Sequence, residues 1–273
     1  MMSQVEILEG AEEWRDRYAR WKQINELRGG EVGEHYPWVE NRRAPFRPAR
    51  RALPMLNLAL VTSAGAYLDG TEPFDTKTFG GDTSFREIPV EIGPEDLKWT
   101  PRGFDPAAVE EDMNAQIPID RLKEFEGNGI IGQLNPVFWS ISGFTPNAAR
   151  FAATGVPELV ERVRRYEVQA VLLVPASRLC HQTVSLAARG IEAAGIPTMM
   201  LAVDRAAVEA ARPPRAAWYP GEFGCVVGKP NWPEHQRRVL DEALRLIEPI
   251  DQPGVRNLNV AAATEVEMER GER

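Results

Sequence analysis

The chain has 273 residues and a mass of 30.5 kDa; 26% are charged and 43% hydrophobic, enough apolar material for a sizeable core and too much for a disordered chain. A formal charge of −8 and a pI near 5.2 argue against a nucleic-acid binder, whose phosphate contacts need a basic face. No apolar run approaches the roughly 20 residues of a membrane-crossing helix, and the acidic start MMSQVEILEGAEEW lacks the basic-then-apolar order of a secretory signal, so a cytoplasmic chain is expected.

In chain order, residues 10–28 place Trp14, Tyr18, Trp21 and Ile24 at three- and four-residue spacing, one face of a helix with charges on the others. The following stretch is rich in Gly, Pro and Arg and reads as an extended arm, so residues 1–55 form an N-terminal helix and arm. Five arginines fall between Arg42 and Arg51 with no acid among them. They suit a solvated or subunit-contacting arm, or an anion-binding strip.

Residues 56–250 read as an α/β domain. Leu56 to Thr62 is a strand running into SAGAYLDG, and Arg86 to Ile92 is a short strand within an irregular stretch. Pro118 to Phe125 is a short helix closed by Gly127, Asn128 and Gly129. Pro136 to Ile141 is a strand, and residues 157–166 a helix with Pro157 in its first turn. Gln169 to Val174 is a continuous apolar strand, Thr183 to Ala194 an alanine-rich helix, and Ile196 to Val203 another apolar strand. Strands without alternation, separated by a helix, mark a parallel sheet covered on both faces. The last helix is Pro233 to Ile247, and residues 251–273 form a polar, acidic tail expected to be flexible. The fold expected is an open, mostly parallel, Rossmann-like or flavodoxin-like sheet with helices on both faces. Ligands of such sheets sit beyond the carboxyl ends of the strands, which points to three loops: Ser63 to Gly70, Ser140 to Thr145 and Pro175 to Gln182.

PASRLCHQ is the segment richest in chemistry. Cys180 and His181 fall where a strand gives way to a helix's first turn, where unpaired N–H groups and the helix dipole favour an anion. A thiolate is both a nucleophile and a metal ligand. The same spacing also suits a buried structural cysteine beside a capping histidine. Two cysteines make no disulfide framework, and reduced thiols are expected. Cys225, in EFGCVVG, reads as a small buried strand residue; His35 and His235 read as surface residues. SAGAYLDG has small residues that let backbone approach a ligand, at Ser63, Ala64 and Gly65. It lacks the G-x-G-x-x-G fingerprint, so no dinucleotide cofactor is expected. Ser140, Ser142 and Thr145 could donate to a carboxylate, or the segment could be a capped helix start at Thr145 or Asn147.

From Asn57 to Ile247 the chain resembles the selenoprotein B component of the glycine/sarcosine/betaine reductases and, more closely, of D-proline reductase. The resemblance rests on ALVTSAG (59–65), GDTSFREIP (81–89), Asp105, Asp112 and Asn114, and IPIDRLKEFEGNGIIGQLNP (117–136). It continues through VLLVPASRLCHQTV (171–184), AAGIPTMML (193–201) and GKPNWPEHQRRVLDEAL (228–244). The resemblance implies a reductase in which a selenocysteine, or cysteine, three residues before Cys180 attacks the substrate and a nearby thiol resolves the selenenyl–sulfide. This chain has Ser177 there, and a hydroxyl cannot form that bridge. Where the family carries a histidine near the Asp105 region, this chain has Arg102. Nothing in the chain matches the pyruvoyl-bearing partner subunit of proline reduction.

Three readings follow. In the first, the chain is an oxidoreductase: a thiol-dependent reductase, or an enzyme cleaving a carbon–heteroatom bond, acting on a small, amino-acid-like substrate. Cys180 is then nucleophile, His181 general acid/base and Ser177 a hydrogen-bond donor, with Ser63, Ala64, Gly65, Ser142, Thr145 and Gln182 binding substrate. A thioredoxin-like electron donor and a homo-oligomer are the expected partners, with no nucleic acid, membrane, cofactor or metal. In the second, the chain is a non-catalytic relative that binds a small molecule or partner. In the third, Cys180 and His181 hold a metal with carboxylates from Asp69, Asp75, Asp82 or Asp105.

Overall fold

The computed structural model of the chain describes residues 6–28 and 35–260. Helix α1 (Ala11–Arg28) and the arm precede strands β1 (Asn57–Thr62), β2 (Ala66–Leu68), β3 (Phe85–Pro89) and β4 (Leu97–Trp99). Then come α2 (Ala107–Glu111), α3 (Ile119–Gly127), β5 (Gln133–Leu134), β6 (Val137–Ile141), α4 (Ala148–Ala153) and α5 (Gly155–Arg165). The remainder runs β7 (Ala170–Val174), α6 (Arg178–Ala193), β8 (Thr198–Ala202), α7 (Arg205–Ala211), β9 (Arg215–Trp218), α8 (Pro233–Arg245) and β10 (Gly254–Asn257).

The main sheet has the order β10-β9-β8-β7-β1-β6-β3, with β5 also paired to β1; β2 and β4 form a separate antiparallel pair. All pairings in the main sheet are parallel except β3 with β6. The absence of polar alternation in β1, β7 and β8 has its expected consequence. Leu58, Leu60, Leu172, Met199 and Leu201 enter the core on one face, under α3 and α8. Ala59, Val61, Val171, Leu173 and Met200 enter the core on the other, under α1 and α4 to α7. The α/β architecture with both faces covered is therefore as expected. No described helix is long and apolar enough to cross a membrane.

Several local expectations shift. Trp14, Tyr18 and Trp21 are buried; Trp14 stacks on Tyr18, Tyr18 tilts against Trp21, and Trp21 meets Tyr36 edge-on and Phe79 at a tilt. Ile24, however, is 50% exposed, and the face continues instead through Asn25, whose amide donates to Trp21 O. The arm is built into the fold: Tyr36, Val39, Asn41 and Leu53 are buried. Arg189 and Arg215 donate to the carbonyls of Arg43 and Arg47. His235, expected on the surface, is buried, accepting from Lys229 N–H at 3.1 Å and stacking on Trp232. His35 is exposed. The tail expected to be flexible from residue 251 instead supplies β10, which pairs along β9, and buries Leu258 and Val260. Residues 261–273 of that tail lie outside the described residues.

The order of strands positions the site. β6 pairs on one side of β1 and β7 on the other; the chain leaving β1 runs to the β6 side and the chain leaving β7 runs to β8 on the opposite side, so the loops at the carboxyl ends of β1 and β7 diverge. That is the topological switch point, where open α/β sheets form a crevice.

Candidate functional site

Helix α6 starts five residues earlier than its alanine-rich stretch suggests, because Ser177 caps it. Ser177 has extended backbone, its Oγ accepts the Cys180 N–H at 3.2 Å, and its carbonyl accepts the His181 N–H at 3.0 Å. The loop before the cap is tied to the end of β1 by Ala176 N–H donating to Ser63 Oγ at 3.2 Å. Cys180 Sγ then points back across the crevice, donating to Ser63 O at 3.4 Å and lying 3.6 Å from Gly143 O. The three loops singled out in the sequence thus meet at one sulfur.

Cys180 is only 1% exposed, and the atoms facing it include two carbonyl oxygens. The sequence reading expected an anion at this helix start. In the structure the Cys180 N–H is capped by Ser177 Oγ, and the sulfur faces the carbonyls of Ser63 and Gly143 rather than free N–H groups.

His181 is turned away from that sulfur's hydrogen bonds. Its Nε2 accepts the N–H groups of Val203 and Asp204, at 3.1 and 3.3 Å, and its Nδ1 contacts Ser177 O at 2.7 Å. These partners require the tautomer with the proton on Nδ1. Complete burial lowers its pKa to about 4, against the pull of Ser177 O and Asp204, so the ring is neutral near pH 7. The general acid/base expected at this position does not fit, since neither nitrogen is free to exchange a proton. The ring instead fastens the end of β8 to the start of α6.

Most of the proposed substrate-binding residues also build loops. Gln182 Oε1 accepts Val39 N–H at 2.8 Å, and its Nε2 donates to Tyr36 Oη, which donates to Pro146 O. Ser142 Oγ accepts Phe144 N–H, and Thr145 Oγ1 donates to Asp82 O. Asn147, not Thr145, caps α4. Ala64 N–H is held by Thr62 Oγ1, and Gly65 lies with φ +68 against Thr100, where a Cβ would come within 2.8 Å of Thr100 O. Of the residues named from sequence, only Ser63, Ser177 and Cys180 meet at the crevice. The fourth participant, Gly143, lies inside the predicted loop but was not itself singled out.

Two features of the rim went unassigned in the sequence. Gly103, with φ +75, lies over Ser177, where a Cβ would come within 3.3 Å of Ser177 Cβ and 3.4 Å of its Oγ. The preceding residue, Arg102, is exposed; its guanidinium stacks 4.2 Å from the centre of the Phe144 ring and donates to Thr76 O at 3.0 Å. Opposite, Gly224 N–H donates to Ala176 O at 2.9 Å, and Phe223, 40% exposed, places its ring 5.7 Å from that of His181. The sequence signal for Arg102 was its place where the resembled family has histidine; for Phe223 there was none.

Cys180 and Cys225 are both free thiols. Cys225 is buried, as expected, but in the loop between β9 and α8 rather than in a strand, and burial with the nearby Glu222 charge pushes its pKa up to about 11. The metal reading fails, because no group of three or more His, Cys, Asp or Glu side chains converges among the described residues. Asp75, Asp82 and Asp105 instead accept from nearby backbone N–H groups, and Asp69 pairs with Lys98.

The sequence profile of the glycine/sarcosine/betaine reductase selenoprotein B family matches residues 22–176. The D-proline reductase subunit gamma of Acetoanaerobium sticklandii is 30% identical over 209 residues, covering 77% of this chain and 85% of that subunit. The glycine reductase complex component B subunit gamma of Symbiobacterium thermophilum is 27% identical over 184 residues, 64% of this chain and 41% of its own length. The sarcosine reductase complex component B subunit beta of Peptoclostridium acidaminophilum is 28% identical over 189 residues, 66% and 41% respectively. The chain therefore spans less than half of these two longer relatives. No solved structure matches it. With a mostly parallel sheet, the P-x-x-x-x-C-H-Q turn at its switch point and these relatives, the chain belongs to the glycine/sarcosine/betaine reductase selenoprotein B family.

Proposed function

We propose that this chain is a subunit of a thiol-dependent reductase that cleaves a carbon–heteroatom bond in a small, amino-acid-like substrate, with Cys180 as nucleophile. The observation that carries this is the convergence of the loops after β1, β6 and β7 on the Cys180 sulfur. Ser177 holds the sulfur's backbone in place, and His181 is a positioning residue rather than the base. Arg102, at the rim beside Ser177, is the cation that receives the substrate carboxylate. Substrate reaches the sulfur when the turn carrying Gly103 or the Phe223 loop lifts away.

The chemistry balances with a protein dithiol of thioredoxin type as reductant. The Cys180 thiolate attacks the heteroatom and forms a sulfur–heteroatom bond; the carbon keeps the bonding pair and takes a proton. One thiol of the donor then displaces the heteroatom, which leaves protonated, and forms a mixed disulfide with Cys180. The donor's second thiol releases Cys180. The substrate gains two electrons and two protons, and the donor ends as a disulfide. Ser177 cannot play the donor's part, since a hydroxyl forms no such bridge. The D-proline, glycine and sarcosine reductases among the relatives point to the substrate class, and their naming as subunits of complexes supports a requirement for further subunits.

One observation favours a second reading. A sulfur 1% exposed and hydrogen-bonded to carbonyls suits a structural residue in a non-catalytic subunit. Alkylation separates the two without needing the true substrate. Iodoacetate carries a carboxylate and iodoacetamide does not, while both are small electrophiles that alkylate through the same carbon–iodine bond. Under the catalytic reading, mass spectrometry finds native Cys180 alkylated near neutral pH. The iodoacetate-to-iodoacetamide rate ratio falls by about fivefold in Arg102→Ala as the local attraction is lost. Labelling confined to Cys225, or a ratio unmoved by Arg102→Ala, rejects this reading in favour of the second.

A further inference from the structure

The end of the sheet opposite Cys180 carries a different chemistry. A cavity of about 410 Å³ opens at the amino-terminal edge of the parallel strands. Its lining includes Arg47, Arg50 and Arg51 from the arm, with Gln169, Gly195 and Pro197 from the turns that enter β7 and β8. Among the described residues, no carboxylate lies within ion-pair distance of these three guanidinium groups.

The arm does not need those side chains to stay in place. Arg47 N–H donates to Glu192 Oε1 at 2.7 Å, the Arg215 guanidinium grips Arg47 O, and the same guanidinium stacks on Phe46 at 4.2 Å. The nearby Glu192 carboxylate is already met by Arg215 and by Thr198. The backbone thus carries the attachment, and three cations are left facing one concavity on a chain whose net charge is −8. Like charges so placed repel unless an anion joins them.

Guanidinium forks match the paired oxygens of phosphate groups, and the volume falls within the range of small-molecule sites. One carboxylate would leave two of the three charges unmatched, whereas a diphosphate carries about three negative charges near neutral pH. A neighbouring cavity of about 560 Å³ shares Leu56 and Gln169 with the first and is lined by Asn57, Gln133, Asn135 and Tyr166, which gives a polar organic remainder hydrogen-bonding partners. We propose that the Arg47–Arg50–Arg51 cavity binds the diphosphate group of a small molecule, at a site separate from the Cys180 crevice.

Inorganic pyrophosphate is the probe, titrated calorimetrically into the full-length protein at fixed ionic strength. A single saturable site is expected, weakened at least about tenfold in Arg47→Ala/Arg51→Ala, with the ligand-free melting temperature unchanged because these side chains anchor nothing. Sodium sulfate at matched ionic strength should give no saturable heat. Absence of saturable pyrophosphate binding, binding of equal strength in the double variant, or an equal response to sulfate overturns the assignment. An acidic protein surface docking on the strip would give the first of these results.

Discussion

Replacing His181 with glutamine should flatten the acid side of the stability profile. The folded protein holds the imidazole neutral, with a pKa lowered from 6.5 to about 4 by burial, while the unfolded chain takes up a proton below about 6.5. The contribution is fully present above pH 6.5, is lost progressively as pH falls, and is exhausted below about 4. Its full size is about 3 kcal/mol, and the part lost between pH 7 and pH 5 is about 2 kcal/mol. Urea denaturation of the native chain and of His181→Gln at pH 7, 6 and 5 reads this directly as the difference between the two pH profiles. The substitution also costs about 1–3 kcal/mol at pH 7, because a flexible amide replaces the rigid ring that holds Ser177 O and the N–H groups of Val203 and Asp204 in one plane, and each hydrogen bond it misplaces leaves a buried group unsatisfied. Parallel profiles for the two proteins would refute the reasoning. Should His181→Gln not fold, a proton-NMR titration of the native ring decides the matter, and protonation above pH 6 would refute it equally.

Other expectations concern the arm and the rim. Arg215→Ala leaves Glu192 buried without its cation and should cost about 3–5 kcal/mol in urea denaturation. It should also expose the arm to trypsin ahead of global unfolding; an arm cleaved no faster than in the native chain would count against the attachment described. Gly103→Ala should cost about 1–2 kcal/mol from its left-handed backbone alone, with added strain from the contact with Ser177. Gly70→Ala, at φ +78 with open space around it, isolates the backbone part, and equal losses at the two positions would show that Gly103 does not press on the site.

How much was legible depended on whether a residue's environment is local. β1, β7 and β8 announce themselves because both faces of each are apolar, and the crevice follows from the direction of parallel strands. β9 was missed because it is four residues long and opens on Arg215, whose burial is tolerable only beside Glu192 from a distant helix. β10 was missed because an edge strand pairs on one side only, and its GVRN sequence is mostly polar. The position of Cys180 was readable from the strand-to-helix transition. The orientation of His181 was not, because its partners lie at residues 203 and 204, brought near by the β7–β8 pairing. His235 misled for a similar reason: its ring is covered by Trp232 and held by the Lys229 N–H, from a turn with no periodicity to read.

The two letters that follow Cys180 therefore behave as mortar. Through Gln182, the helix that begins beside the thiol is spliced to Tyr36 and Val39 near the front of the chain, and Tyr36 reaches on to Pro146 behind the β6 loop. The backbone at Val39 is thereby one hydrogen bond from a helix start that lies more than a hundred residues later in the chain. A segment remote from the crevice in sequence is in this way built into its framework.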